Sequence, residues 1–320
     1  MKSILVTGAT GFIGSHLLPN LEQQNFSLKI TTRQTSPQTS QNITPIKINN
    51  IDDTTDWSEA LAEVDCVIHL AARAHILQDT ATDPETQFYQ TNTLATANLV
   101  KQAIAQGVKH FIFMSSVGAM ATLSEETLTE SSPCNPDTPY GKSKLQAEQE
   151  LKQLCENTAM TWTILRPPLI YGPRNPGNME RLLKLVKTGL PLPLGGINNR
   201  RSLLYVGNLV DSITTCISHP NAKNQTFLIS DGEDLSTPAL IQKIGEAMGK
   251  SPALIPIPPT LLTLVAKPLG KEDTINRLAG SLAIDSNKIR TTLDWKPPFS
   301  VTQGLQNTVD WFVNHQIARR

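Results

Sequence analysis

Tyr140 stands four residues before Lys144 in the stretch PYGKSK, residues 139–144. On a helix that spacing puts both side chains on one face. An ammonium beside a phenol favours the phenolate, so a hydroxyl that normally titrates near ~10 can exchange its proton closer to neutrality. Such a pair suits general acid–base work at a substrate oxygen. A hydroxyl to hold the same oxygen is offered upstream by Ser115-Ser116. Alone, Tyr140 and Lys144 are equally a half-exposed aromatic and a solvated lysine in the first turn of a surface helix.

A second chemical feature opens the chain. SILVT (residues 3–7) runs into Gly8-Ala9-Thr10-Gly11-Phe12-Ile13-Gly14. Glycines spaced this way allow a tight turn, a close approach of backbone to a pyrophosphate, and close packing of the following helix. The helix start then presents free N–H groups to the phosphates. A glycine-rich turn without a ligand is the plain alternative, but the position between a strand and a helix favours a nucleotide.

The elements that must position these groups alternate regularly. Strands are expected at 3–7, 28–32, 45–48, 66–70, 111–115 and 161–165. Helices are expected at 14–23, 57–62, 86–106 and 142–157, and a loop at 33–45. This pattern predicts an α/β fold, a doubly wound parallel sheet with helices on both faces. After Pro167 prolines cluster and elements shorten. We expect a dinucleotide-binding domain over 1–166 and a smaller mixed α/β substrate-binding cap over 167–320. Strands at 203–206 and 226–229 are expected to return to the first domain.

The bulk numbers exclude several classes. Twenty-eight Lys plus Arg balance twenty-eight Asp plus Glu. Zero net charge gives no electrostatic reason to expect nucleic acid or a membrane as partner. Cys66, Cys134, Cys155 and Cys216 lack metal-ligand spacing, so no metal is expected and the thiols read as reduced in a cytoplasmic protein. No apolar run is long enough to span a bilayer.

TGATGFIGSHL, followed by the Tyr140–Lys144 pair, resembles the extended short-chain dehydrogenases/reductases, the NAD-dependent epimerase/dehydratase family. The stretches HLAARAHILQDTATDP, RPPLIYGP, GLPLPLG, RRSLLYVGNLVDSI and FLISDGEDLSTPALI resemble one bacterial branch. It contains UDP-glucose 4-epimerase-like proteins and the C4 reductases that form UDP-N-acetylquinovosamine or UDP-N-acetylfucosamine. The resemblance implies a Rossmann fold, a UDP-sugar substrate and a homodimer through helices flanking the tyrosine.

It also implies roles. Ser116, with Ser115 in reserve, would hold the reacting oxygen, Tyr140 would move its proton, and Lys144 would tune Tyr140 and bind the nicotinamide ribose. Gly8, Gly11, Phe12, Ile13 and Gly14 would hold the pyrophosphate. Asn50 and Ile51 (Asp52 as alternative) would meet the adenine. Leu70, Ala71, Ala72 and Pro167 would lie along the cofactor. Asn92 matches a helix asparagine of structural character. Arg201 would grip the diphosphate, with Asn178 and Arg277 as weaker substrate contacts. The acid expected at the end of the second strand is replaced by Thr32 and Arg33, which suit a 2′-phosphate, with Ser36 assisting. NADP(H) is therefore expected, with NAD(H) as the alternative.

Ser116 is followed by Val117-Gly118-Ala119, without the Asp-Glu pair of the dehydratases, and Leu169 replaces an asparagine of the epimerases. The expected activity is therefore reduction of a UDP-4-keto-6-deoxy-N-acetylhexosamine in lipopolysaccharide O-antigen synthesis. UDP-hexose 4-epimerase is the alternative, and a non-catalytic dinucleotide sensor is the remote one.

Overall fold

The computed structural model describes residues 2–33, 42–74, 83–175, 177–270 and 272–317. Ser36 lies outside them. The first half runs β1 (Ser3–Thr7), α1 (Phe12–Gln23), β2 (Ser27–Thr32), β3 (Ile43–Lys47), α2 (Ser58–Leu61) and β4 (Cys66–His69). It continues with α3 (Pro84–Phe88), a π-helical turn over Tyr89–Leu94, α4 (Ala95–Ala105), β5 (His110–Met114), α5 (Pro139–Cys155) and β6 (Thr161–Arg166). The second half runs β7 (Leu169–Tyr171), α6 (Asn178–Thr188), β8 (Leu203–Tyr205), α7 (Val206–Ser218), β9 (Gln225–Leu228) and α8 (Thr237–Ala247). It closes with α9 (Pro259–Ala266), α10 (Glu272–Ala279), α11 (Asn287–Leu293) and α12 (Val301–Ile317).

The expected doubly wound sheet is present. Seven parallel strands lie in the order β3-β2-β1-β4-β5-β6-β9. Strand alternation feeds a core on each face. Ile4, Val6, Ile112 and Met114 pack on the side of α1 and α7, whereas Leu5, Phe111 and Phe113 pack on the side of α2, α4 and α5. Covering both faces is what makes these strands continuous apolar runs.

Three details depart from the sequence reading. Leu203–Tyr205 does not join the main sheet. It pairs with Leu169–Tyr171 in a separate two-stranded sheet, and only Gln225–Leu228 returns to the main edge. The strand expected to start at 45 begins at Ile43, since Pro45 sits at the outer edge, where its missing N–H costs no ladder bond. The helix expected from 142 begins at Pro139. Thr138 caps it by accepting from the Gly141 N–H, and Pro139 takes the first-turn position that needs no N–H partner.

Candidate active site

Chain order reverses between β1 and β4, the place where open parallel sheets bind ligands beyond their C-terminal strand ends. The loops leaving those two strands touch there. Gly8 adopts φ +69°, and a Cβ on it would lie 2.7 Å from the Ala71 nitrogen. A Cβ on Gly14 would lie 2.5 Å from the carbonyl oxygens of Gly8 and Ala9, so α1 sits tight against the turn. A Cβ on Gly11 would meet only Gly8 O, at 3.2 Å. Gly11 caps α1 without a side-chain bond, which leaves the first-turn N–H groups of Phe12 and Ile13 to an outside acceptor. The turn thus fits a pyrophosphate.

A buried relay stiffens the second loop. The Ala71 N–H donates to Thr7 Oγ1 (3.2 Å), which lies 2.7 Å from His69 Nδ1. His69 Nε2 lies 3.0 Å from Thr96 Oγ1, which donates to Asn92 O at 2.7 Å. Because Thr96 spends its proton on Asn92, the consistent assignment puts the imidazole proton on Nε2 and leaves Nδ1 to accept from Thr7. Burial, and then the charge of Lys144, push the His69 pKa down to about 3, so the ring is neutral. The Asn92 amide holds both backbone groups of Arg73, at 2.8 and 3.1 Å, and donates to Ser143 Oγ at 3.0 Å. Its groups are turned to these protein partners. Asn92 fastens the loop carrying Leu70, Ala71 and Ala72 to α5, and it sits in the π turn, a common irregularity at working sites.

The acid–base residues meet where β5 ends. Ser116 caps a short turn, accepting from the Gly118 N–H at 3.0 Å, and its hydroxyl lies on the Tyr140 side of that turn, since a Cβ on Gly118 would stand 3.3 Å from Ser116 Oγ. Ser115 turns the other way, donating to the buried Glu148 carboxylate. Strand alternation separates the two serines, so Ser116 alone faces the phenol. Two glycines that the sequence reading passed over permit this approach. A Cβ on Gly141 would lie 2.1 Å from Gly118 O, and one on Gly118 would lie 3.9 Å from the Tyr140 ring. The signal was the glycine directly after the tyrosine in PYGKSK.

The Lys144 side chain is held at the end of β5. Its ammonium donates to the Met114 carbonyl at 2.8 Å and lies 4.6 Å from the Phe113 ring centre. The side chain is buried, and burial lowers its pKa to about 7 against the pull of Glu148. Lys144 is not what sets the Tyr140 pKa in this state. Burial raises that phenol to about 12, opposed by the neighbouring Ser116 hydroxyl. A buried ammonium takes the acceptor in reach, and here that is the carbonyl ending β5.

The other expected residues spread around this centre. Thr32 ends β2 half-buried and Arg33 is exposed. Asn50 is exposed and Ile51 packs on the α4 side core. Asp52 does not point outward to a base. Its carboxylate accepts from Thr54 and Thr55 in its own turn, which lowers its pKa. Pro167 is buried and its carbonyl accepts from the Val117 N–H at 2.9 Å, tying β6 to the Ser116 turn.

Among the substrate candidates, Arg201 and Arg277 come together. Arg201 Nη1 donates to Arg277 O at 2.6 Å and Gly280 O at 3.1 Å. Burial lowers the Arg201 pKa, whereas its neighbour Arg200 is exposed and pairs with Asp234 at 3.0 Å. Asn178 is exposed at the first turn of α6.

Comparison with known proteins settles the family. Residues 4–230 match the model described as "NAD dependent epimerase/dehydratase family". The chain belongs to this family. It is 39% identical over 316 residues to a Vibrio cholerae protein named "UDP-glucose 4-epimerase", covering 98% of this chain and 96% of the other. It is 29% identical over 330 residues to the Escherichia coli O157:H7 "N-acetyl-alpha-D-glucosaminyl-diphospho-ditrans,octacis-undecaprenol 4-epimerase", again over 98% and 96%. A Thermotoga maritima UDP-glucose 4-epimerase solved with UDP-glucose has the same fold, with a TM-score of 0.77 at 24% identity over 98% of this chain and 99% of that one. The chain is thus an NAD-dependent enzyme of the epimerase/dehydratase type. The NADP(H) preference expected from Thr32 and Arg33 gains no support from these relatives.

Proposed function

We propose that the protein is a 4-epimerase of a UDP-linked hexose or N-acetylhexosamine, using NAD(H). The observation that carries this reading is Ser116 beside Tyr140 beyond β5, both within 4 Å of where a Gly118 side chain would start, in a chain whose Vibrio cholerae relative, similar over nearly its whole length, is named a 4-epimerase. Gly8, Gly11, Phe12, Ile13 and Gly14 would hold the cofactor pyrophosphate, and Arg201 the substrate diphosphate. When bound, the nicotinamide supplies hydride exchange at the sugar C4 carbon. Ser116 Oγ holds the C4 oxygen. Tyr140 Oη takes the proton of the C4 hydroxyl as the ketone forms and returns it as the ketone is reduced on its other face. With its pKa near 12 the free phenol is a proton donor at neutral pH. Removing a proton requires positive charge near it, and Lys144 is the protein's own source. Oxidation followed by reduction leaves the cofactor unchanged overall.

The test is conversion of UDP-glucose to UDP-galactose, and of UDP-N-acetylglucosamine to its C4 epimer, with no cofactor added. Conversion supports the reading. A second reading, the C4-keto reductase, is favoured by Thr32 and Arg33 in place of the expected acid. It takes over if neither sugar is converted while UDP-4-keto-6-deoxy-N-acetylglucosamine consumes NADH or NADPH mole for mole. Our reading extends to a homodimer through helices flanking Tyr140 and to a part in lipopolysaccharide O-antigen assembly.

A further inference from the structure

α9 is apolar on two faces, and Leu262 packs inward on the core of the second half. Ala266 is its buried residue, while Leu261, Leu264 and Val265 are 52%, 68% and 67% exposed. Their spacing of three and four places them on one helix face. A surface helix ordinarily turns such a stripe towards the core. Isolated exposed leucines are common, but a complete apolar helix face turned to water marks an interaction site.

The patch extends beyond the helix. The segment leading into α9 is bound to the segment leaving α6. The Leu192 N–H donates to Ala253 O and the Ile255 N–H to Leu192 O, both at 2.8 Å, while Lys250 Nζ reaches Lys187 O at 2.5 Å. Leu190 and Ile255, on these two segments, are 63% and 46% exposed.

Charge on the two segments has one sign. No Asp or Glu occurs between residues 181 and 210, or between 247 and 270. Lys187, Lys250 and Lys267 are exposed there, and Lys184 pairs with Glu180 at the edge of the run. Acids stand only at the borders of these runs, at Glu180, Asp211, Glu246 and Glu272. Exposed aliphatic side chains among lysines are what an interfacial helix needs, its apolar face at the acyl boundary and its cations at anionic headgroups. No described helix is long and apolar enough to cross a membrane, so the contact is peripheral.

We propose that α9, with the Leu190 and Ile255 segments, docks the protein onto an anionic lipid surface. The proposal is independent of the 4-epimerase reading. α9 packs on α10, whose Arg277 carbonyl holds Arg201, so the docked surface would lie beside the substrate half.

The test is sedimentation of the full-length protein with vesicles of phosphatidylcholine alone, or of equal parts phosphatidylcholine and phosphatidylglycerol. We expect pelleting with the phosphatidylglycerol vesicles, release by raised salt, and little binding to phosphatidylcholine. Leu264→Glu with Val265→Glu should lower the bound fraction roughly tenfold. Lys250→Glu with Lys267→Glu should remove the preference for phosphatidylglycerol. Both variants alter exposed side chains, so an unchanged thermal midpoint confirms that they fold. Absence of pelleting at low salt, or equal pelleting with both vesicles, overturns the proposal. So does light scattering that shows Leu264→Glu with Val265→Glu splitting a dimer, which would assign the face to a second copy of this chain.

Discussion

Lys144 and Arg166 are both buried cations beside the end of β5, one bonded to the Met114 carbonyl and the other to the Glu148 carboxylate that also holds Ser115. Arg166 meets Glu148 through Nε and Nη2 in a buried ion pair, and Ser115 completes the cluster. Burial opposes the guanidinium charge, but the bonds and charge of Glu148 outweigh it and its pKa is raised. Lys144 has a carbonyl and an aromatic face in contact and no carboxylate, and its pKa falls to about 7. A buried cation with its counter-ion is part of the scaffold. A buried cation left without one is tolerated where its charge has work to do.

The largest effect that would sharpen this contrast lies in the reaction. Tyr140→Phe should lower kcat roughly 10³-fold with folding intact, the usual scale for a proton-transferring group. Full activity in this variant would remove Tyr140 from the proton transfer, whereas no turnover of any nucleotide sugar by the unaltered protein would revive the non-catalytic dinucleotide sensor. Next comes the scaffold side. Glu148→Ala leaves Arg166 buried without its partner and should cost about 3–5 kcal/mol in urea unfolding. Replacing the pair together, Glu148→Leu with Arg166→Met, should recover most of that loss. A double variant as unstable as the single one would break the scaffold assignment.

Lys144→Met should do the opposite, abolishing activity while holding or raising the thermal midpoint. A pH series reports the same cation. The folded pKa near 7 lies below the ordinary 10.5, so the unfolded chain binds more protons between these values. Stability from this group therefore rises as pH increases through that window, and Lys144→Met should flatten the rise. His69 acts lower on the scale. Its folded value near 3 against 6.5 means that stability falls as pH drops from about 6.5 towards 3, and His69→Gln should weaken that slope. The smallest effect is expected at an exposed cation. Arg33→Ser should change NAD affinity less than ~2-fold, since a solvated surface charge contributes little. A large loss with NADP alone would reinstate the 2′-phosphate reading.

Strands whose residues are buried on both faces write themselves as apolar runs, so the sheet and its order of α and β were legible. The glycine turn was legible because Gly8 and Gly14 have no room for a side chain. The start of α5 lies three residues before the expected 142 because its first turn is set by the Thr138 cap and Pro139, whereas the Lys, Gln and Glu run marks only the helix body. The pairing of Leu203–Tyr205 with Leu169–Tyr171 was hidden, since a three-residue apolar strand carries no mark of its partner. The partner of Lys144 was hidden for a related reason. Sequence spacing gives the face of a helix but not which acceptor lies opposite, and the Met114 carbonyl is a backbone group common to every residue. The apolar face of α9 was visible as LLTLVA, yet only burial shows that it looks outward.

The position of β9 bears on how the protein is made. The main sheet takes its last strand, Gln225–Leu228, from far beyond the residues that form its other six. During synthesis the ribosome must release the whole of β7, α6, β8 and α7 before the outer side of β6 is covered. Until then Thr163, Ile164 and Leu165 present an open edge to other nascent chains. The window for mistaken strand exchange is therefore set by translation speed across the second half, and slow codons there would lengthen it.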